Sequence, residues 1–171
     1  MVIASIYTDA SYNEATGIGA VAFHARIRNR RFSGSLALSY LRKITGSKVD
    51  ISRLEIFAVL FALRSLRNES YDGIKLHLDN VNIIFLFLPW REPRFKPDVM
   101  RTYRAVLRKI GGRSIVVTHV KAHAKRKNRE QRIHEAVDQL ARNKRRKHEN
   151  QARTCHRVRE ETGDLDCERM G

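Results

Sequence analysis

Apolar and polar residues alternate from Val2 to Thr8, which predicts a strand that Asp9 closes. Gly17 and Gly19 open a second such run through Ile27, and Arg31 to Leu38 gives a third; the short gaps between them make a meander. A polar connection from Ser39 to Val49 leads to Asp50, placed to cap a helix over Ile51 to Arg67, which Asn68 to Gly73 stops. Ile74 to Asp79 is the next strand. A crossover helix between strands of one sheet makes this strand parallel to an earlier one, most economically the first. A short helix within Asn80 to Leu88, a proline-broken stretch from Pro89 to Pro97 and a helix over Asp98 to Ile110 follow, and Gly111 and Gly112 end that helix. Ser114 to Val120 is a last strand, Lys121 to Arg129 a basic loop, and Gln131 to Arg146 a final helix with Ile133, Val137, Leu140 and Ala141 inward. From Asn150 the chain is polar with little periodicity, so one α/β domain over 1–148 is expected, followed over 149–171 by a polar, flexible tail that is either a frayed helix or disordered.

Four carboxylates cut across this pattern. Asp9 and Asp79 each end a strand, and neighbouring parallel strands lie about 4.8 Å apart, so the two acids are expected to meet at one edge of the sheet. Glu55 falls on the helical stripe of Ile51, Ala58 and Ala62, which should face a core. An unpaired carboxylate there costs several kcal/mol, so it must be protonated, paired or metal-bound. Asp138 flanks the inward stripe of the last helix. In open α/β sheets ligands bind beyond the carboxyl ends of the strands, and the start of the crossover helix can deliver Glu55 to that crevice.

Charge sharpens the expectation about partners. Lys and Arg total 34 against 18 Asp and Glu, a formal net charge of +16 with a sequence pI near 10.6. Such a balance seeks a polyanion, nucleic acid first, with salt-sensitive binding. From Lys121 to Lys147 eleven Lys or Arg stand against three acids, interleaved with His123, His134 and Asn128, so Asp138 lies inside the most basic region. At 171 residues with 42% apolar residues the chain suits one domain with a real core. No apolar stretch approaches the roughly 20 residues of a membrane span, and the start lacks a signal-type block, so a soluble, cytoplasmic protein with no membrane contact is expected. Cys155 and Cys167 lie in the polar C-terminal stretch and are expected as free thiols; their spacing with His148 and His156 matches no usual zinc pattern.

Several acids at one sheet edge cannot all ionise without a counter-charge, which basic side chains or bound cations supply. All-oxygen ligation suits Mg²⁺ or Mn²⁺, and two such ions about 3.5 to 4 Å apart serve in-line displacement at phosphorus. A polyanion-seeking surface beside such a site implies a nuclease.

Over about residues 1 to 145 the chain resembles the type 1 ribonuclease H family. The pieces that carry the resemblance are IYTDASY with Asp9, SRLEIFAVLFAL with Glu55, LHLDN with Asp79, and VKAHAKRKNREQRIHEAVDQLAR with His123 and Asp138. It implies a mixed five-stranded sheet, its first three strands antiparallel and the rest parallel, flanked by helices. It also implies endonucleolytic hydrolysis of the RNA strand of RNA/DNA hybrids, leaving 5′-phosphate and 3′-hydroxyl ends, with two Mg²⁺ (or Mn²⁺) ions per site. Carried over by motif, Asp9 would bridge both ions, Glu55 and Asp79 would hold the one near the leaving oxygen, and Asp138 the one on the side of the attacking water. His123 would assist proton movement or product release. Ser11, Asn13, Ser52 and Lys121 would contact the hybrid, whose 2′-hydroxyls distinguish RNA from DNA. The chain has Ala10 where many members have Gly, and Ser52 and Val81 where many have Asn or Gln. The Pro89 to Pro97 segment is shorter than the basic handle of some members but keeps Arg91, Arg94 and Lys96. No obligate protein partner is evident and a monomer is expected.

Fold alone does not separate this reading from a junction resolvase or a strand-transfer enzyme. The helix-borne Glu55 between two strand acids, and the late His123, favour the ribonuclease. A proofreading exonuclease usually pairs two acids in its first strand as Asp-x-Glu, whereas Asp9 is followed by Ala10 and Ser11. A non-catalytic hybrid-binding module is the remaining alternative, and it has no need of four acids and a histidine.

Overall fold

A computed structural model of the chain describes residues 1–39, 51–88, 95–121 and 128–162, with side chains described as far as Cys155. Five strands, β1 (Ile3–Asn13), β2 (Ile18–Ile27), β3 (Arg30–Leu38), β4 (Gly73–Leu78) and β5 (Ser114–His119), form one sheet in the order β3-β2-β1-β4-β5. β1 to β3 are antiparallel, and β4 and β5 run parallel to β1, as the meander and the crossover require. Four helices, α1 (Ile51–Ser65), α2 (Val81–Leu86), α3 (Pro97–Ile110) and α4 (Arg129–Thr162), complete the described chain. Asp50, the connection 40–50, Arg91, Arg94, His123 and Cys167 lie outside the described residues.

The sheet divides its side chains by parity. Ala4 and Ile6 of β1 face α1 and join the main core with Ile56, Val59, Leu63, Leu76 and Val106. Tyr7 points the other way and packs with Ala22 against Val137 and Ala141 of α4. Asp9 has the parity of Tyr7 and therefore faces α4. α3 packs against α1, and Gly111 ends it in the left-handed conformation at φ 60°.

Two boundaries differ from the sequence expectation. Asp9 is not the last residue of its strand: β2 pairs with β1 through Asn13↔Ile18, whereas pairing with β4 stops at Tyr7↔His77. Asp9 thus lies just beyond the parallel ladder, in a notch that opens because β4 ends while β1 continues. α4 runs to Thr162, past the expected end at Arg146 and into the stretch read as a tail. Its middle turns are anchored: Ser39 Oγ lies 2.6 Å from His148 Nε2, and Glu149 is buried, accepting from Arg145 Nη1 at 2.6 Å and from Thr16 Oγ1 at 3.0 Å. Burial alone would push the Glu149 carboxyl up, but bonds from Asn13, Thr16 and Arg145 outweigh it and hold the group below its ordinary value.

Candidate active site

Each acid belongs to a different element. Asp9 comes from β1, beyond the ladder; Asp79 follows β4 by one residue; Glu55 sits in the second turn of α1; Asp138 projects from α4. The α1 stripe that carries Glu55 is fully buried only from Ala58 onward, while Ile51 is 41% exposed and Glu55 half-buried. Glu55 therefore stands where the stripe leaves the core. Its Oε2 accepts from Asn80 Nδ2 at 2.6 Å, and Asn80 Oδ1 accepts from the backbone N–H of Asn82, capping α2. One residue thereby ties Glu55 to the segment carrying Asp79. Asp138 Oδ1 accepts from Arg142 Nε at 2.7 Å, one helical turn on.

Convergence is visible in the electrostatics of Asp9. Its side chain is 11% exposed, and its carboxyl is pushed up to about 8, first by burial and then by the negative charge of Asp79, with smaller contributions from Asp138 and Glu55; a hydrogen bond from the Ala10 N–H opposes this. All three other acids bear on this one carboxylate as charge, but among the described residues the compact group able to hold a metal ion is Asp9, Asp79 and His134, and Glu55 and Asp138 are not part of it.

The cluster also contains a residue to which the sequence reading gave no role. His134, buried in α4, lies with Nδ1 4.0 Å from Asp9 Oδ2 and Nε2 3.8 Å from Asp79 Oδ1. Burial depresses its pKa, against the opposing pull of Asp79, Asp138 and a hydrogen bond to the Thr8 backbone. The spacing of four residues from Asp138 was the available signal, since it puts both on one helix face. Asn80 was likewise legible in principle, as an asparagine directly after a strand acid and before an apolar helix.

The remaining expected residues lie as follows. Ser11 Oγ accepts from Arg145 Nε at 3.0 Å, and Asn13 accepts from the N–H of Ala15, so both are engaged with the frame. Ser52 is half-buried in the first turn of α1, and Lys121 is exposed after β5, its carbonyl accepting from Gln131 Nε2. His123 falls outside the described residues. A cleft of about 860 Å³ between α4 and strands β1 to β3 is lined by Arg26, Arg31, Arg129, Arg132 and His24 over Tyr7, Ile133 and Leu140; none of the four acids lines it. Its one acid, Glu130, faces Lys75 at 3.4 Å.

Comparison with protein-family models and with curated protein sequences gives no match. Solved structures do match. The RNase H1 of the halophilic archaeon Halobacterium salinarum NRC-1 superposes with a TM-score of 0.62 at 18% identity, covering 83% of this chain and 96% of that one. The N-terminal RNase H domain of rv2228c from Mycobacterium tuberculosis gives 0.67 at 12% identity over 89% and 99% of the two chains. LC11-RNase H1, solved in complex with an RNA/DNA hybrid, gives 0.65 at 14% identity over 84% and 97%. The fold is that of a type 1 ribonuclease H. Sheet order and strand directions agree with the expectation drawn from the motifs.

Proposed function

We propose that this protein is a metal-dependent endoribonuclease that hydrolyses the RNA strand of RNA/DNA hybrids, leaving 5′-phosphate and 3′-hydroxyl ends. The observation that carries the reading is the meeting of Asp9 and Asp79 with buried His134, ligand atoms within 4.8 Å of one another, on the fold of a type 1 ribonuclease H; the charges of Asp79, Asp138 and Glu55 help to raise the Asp9 carboxyl to about 8. Such a cluster is under-neutralised and suits a hard divalent cation, which reverses the penalty. Asp9 together with Glu55, Asp79 and Asp138 would hold two Mg²⁺ (or Mn²⁺) ions, Glu55 and Asp79 on the leaving-oxygen side and Asp138 on the side of the attacking water. When bound, the ions supply an activated water and neutralise charge on the leaving oxygen.

The protein's own groups do the rest. Asn80 orients Glu55, and Arg142 holds Asp138 in place. Ser11, Asn13, Ser52 and Lys121 contact the hybrid near the acids, and a 2′-hydroxyl within that contact selects RNA. His123 assists proton movement or product release. The arginines of the cleft along α4 and the excess charge of the chain attract the polyanion. The hybrid in the LC11-RNase H1 complex supports this substrate class by likeness of fold.

The test is incubation with an end-labelled RNA/DNA hybrid, alongside RNA/RNA and DNA/DNA duplexes, with Mg²⁺, with Mn²⁺ and with EDTA. Metal-dependent cutting confined to the RNA of the hybrid is the expected result. Cleavage of DNA would replace the reading with a resolvase or strand-transfer enzyme, and binding without cleavage would replace it with a non-catalytic module.

A further inference from the structure

α4 brings two side chains to the acids. His134 and Asp138 are one helical turn apart, and the ring of His134 rests between Asp9 and Asp79 at 4.0 and 3.8 Å, too far for a hydrogen bond to either. The residue is 5% exposed, and its Nε2 has no hydrogen-bond partner among the described residues. A buried polar nitrogen is costly to leave unpaired, and here that nitrogen faces the carboxylates of Asp9 and Asp79. One ligand atom each from Asp9, Asp79 and His134 lie within 4.8 Å of one another.

We propose that His134 Nε2 is a nitrogen ligand of the divalent ion held by Asp9 and Asp79, and that it gives the site a preference for Mn²⁺ over Mg²⁺. The inference rests on the reading of the acid cluster as a metal site. Its second support is the other ring nitrogen. The Thr8 backbone favours a proton on the ring, and the unpartnered ring nitrogen is Nε2 alone. With the proton on Nδ1 toward that backbone, the Nε2 lone pair would face the carboxylates. Metal-binding histidines are oriented this way, one nitrogen on a backbone carbonyl and the other on the ion. An imidazole among carboxylates departs from the all-oxygen set expected from the sequence and favours transition ions over Mg²⁺.

The competing role is that of a stand-in cation, an imidazolium lodged between two carboxylates and never bonded to metal. Pulsed EPR of the full chain loaded with MnCl₂, without nucleic acid, separates the two. Modulation from a directly bound imidazole nitrogen is expected in the wild type and in His123→Asn, and its absence from the wild-type spectrum overturns the inference whether or not any variant folds. His134→Asn should lose the modulation and keep a weaker Mn²⁺ site. Its Mn²⁺-over-Mg²⁺ affinity ratio, measured by calorimetry, should fall at least about tenfold, since loss of even an outer partner of a ligand has that effect. Modulation or a ratio unchanged in His134→Asn overturns the proposal and leaves the carboxylate site standing. If Mn²⁺ fails to bind, or binds Asp9→Asn as well as the wild type, the acid-cluster reading falls and this inference with it.

Discussion

Asp9 concentrates the chemistry of the notch, and its raised carboxyl makes the fold itself sensitive to pH. An unfolded aspartate has an ordinary value of 3.8, whereas folded Asp9 is pushed to about 8. Between those values the folded chain holds a proton that the unfolded chain has released, so the contribution is present below the lower value and is lost as pH rises through the upper one. In EDTA the melting temperature should therefore fall as pH rises from 5 to 8, with Asp9 contributing up to about 1.4 kcal/mol per pH unit. Mg²⁺ or Mn²⁺ should flatten that slope, because the ions bind the ionised form. Thermal melts across this range with and without metal check it, and a metal-free protein that gains stability toward pH 8 would contradict the cluster. Asp9→Asn and Asp79→Asn should each abolish cleavage while hybrid binding persists or tightens. Gel-shift and cleavage assays on one preparation decide this, and appreciable turnover in either variant sinks the assignment.

Strands and helices of this fold were largely legible in the sequence because their signals are local. Alternation marked β1 to β3, and the left-handed Gly111 marked the end of α3. Two things were not. β1 outlasts Asp9 because β2 continues to pair with it after β4 has left, and pairing of that kind is tertiary. α4 outlasts Arg146 because Glu149 is buried against Thr16, 133 positions away, and His148 meets Ser39, 109 positions away. In the site, the acids stood out as charges against pattern, whereas His134 hid in a basic run where histidine is unremarkable. Asn80 couples two elements, so Asn80→Ala should lose the α2 cap, about 1 kcal/mol, and release Glu55. The Mg²⁺ concentration for half-maximal activity should rise about tenfold or more, with kcat at saturating metal changed much less. A metal titration that leaves this midpoint unmoved would deny Asn80 its positioning role. Trimming after Asn150 retains Arg145, His148 and Glu149 and should leave folding and cleavage intact. Circular dichroism and a cleavage assay on the truncated chain check it, and unfolding would mean that the last turns of α4 pack.

Charge works over a longer range than any of these contacts. A formal net charge of +16 exceeds what folding requires and opposes compaction through self-repulsion, so it signals a polyanionic partner. Among the described residues lining the cleft, Arg26, Arg31, Arg129 and Arg132 face one carboxylate, Glu130, which already has Lys75. The acids and the basic surface thus make opposite demands: the acids repel phosphate when they are not neutralised, while the arginines attract phosphate at all times. Hybrid affinity in EDTA should accordingly fall steeply with salt, by about 10³ or more between 50 and 200 mM if six or more phosphates are neutralised. Adding Mg²⁺ at constant ionic strength should tighten binding by wild-type protein, as the repulsion at Asp9 is relieved, and should do less for Asp9→Asn, where part of it is already gone. Fluorescence anisotropy of a labelled hybrid measures both effects together. A salt slope near zero would mean that the basic surface is not the substrate's resting place, and an equal Mg²⁺ effect in both proteins would mean that the ions act on the nucleic acid and not on the notch.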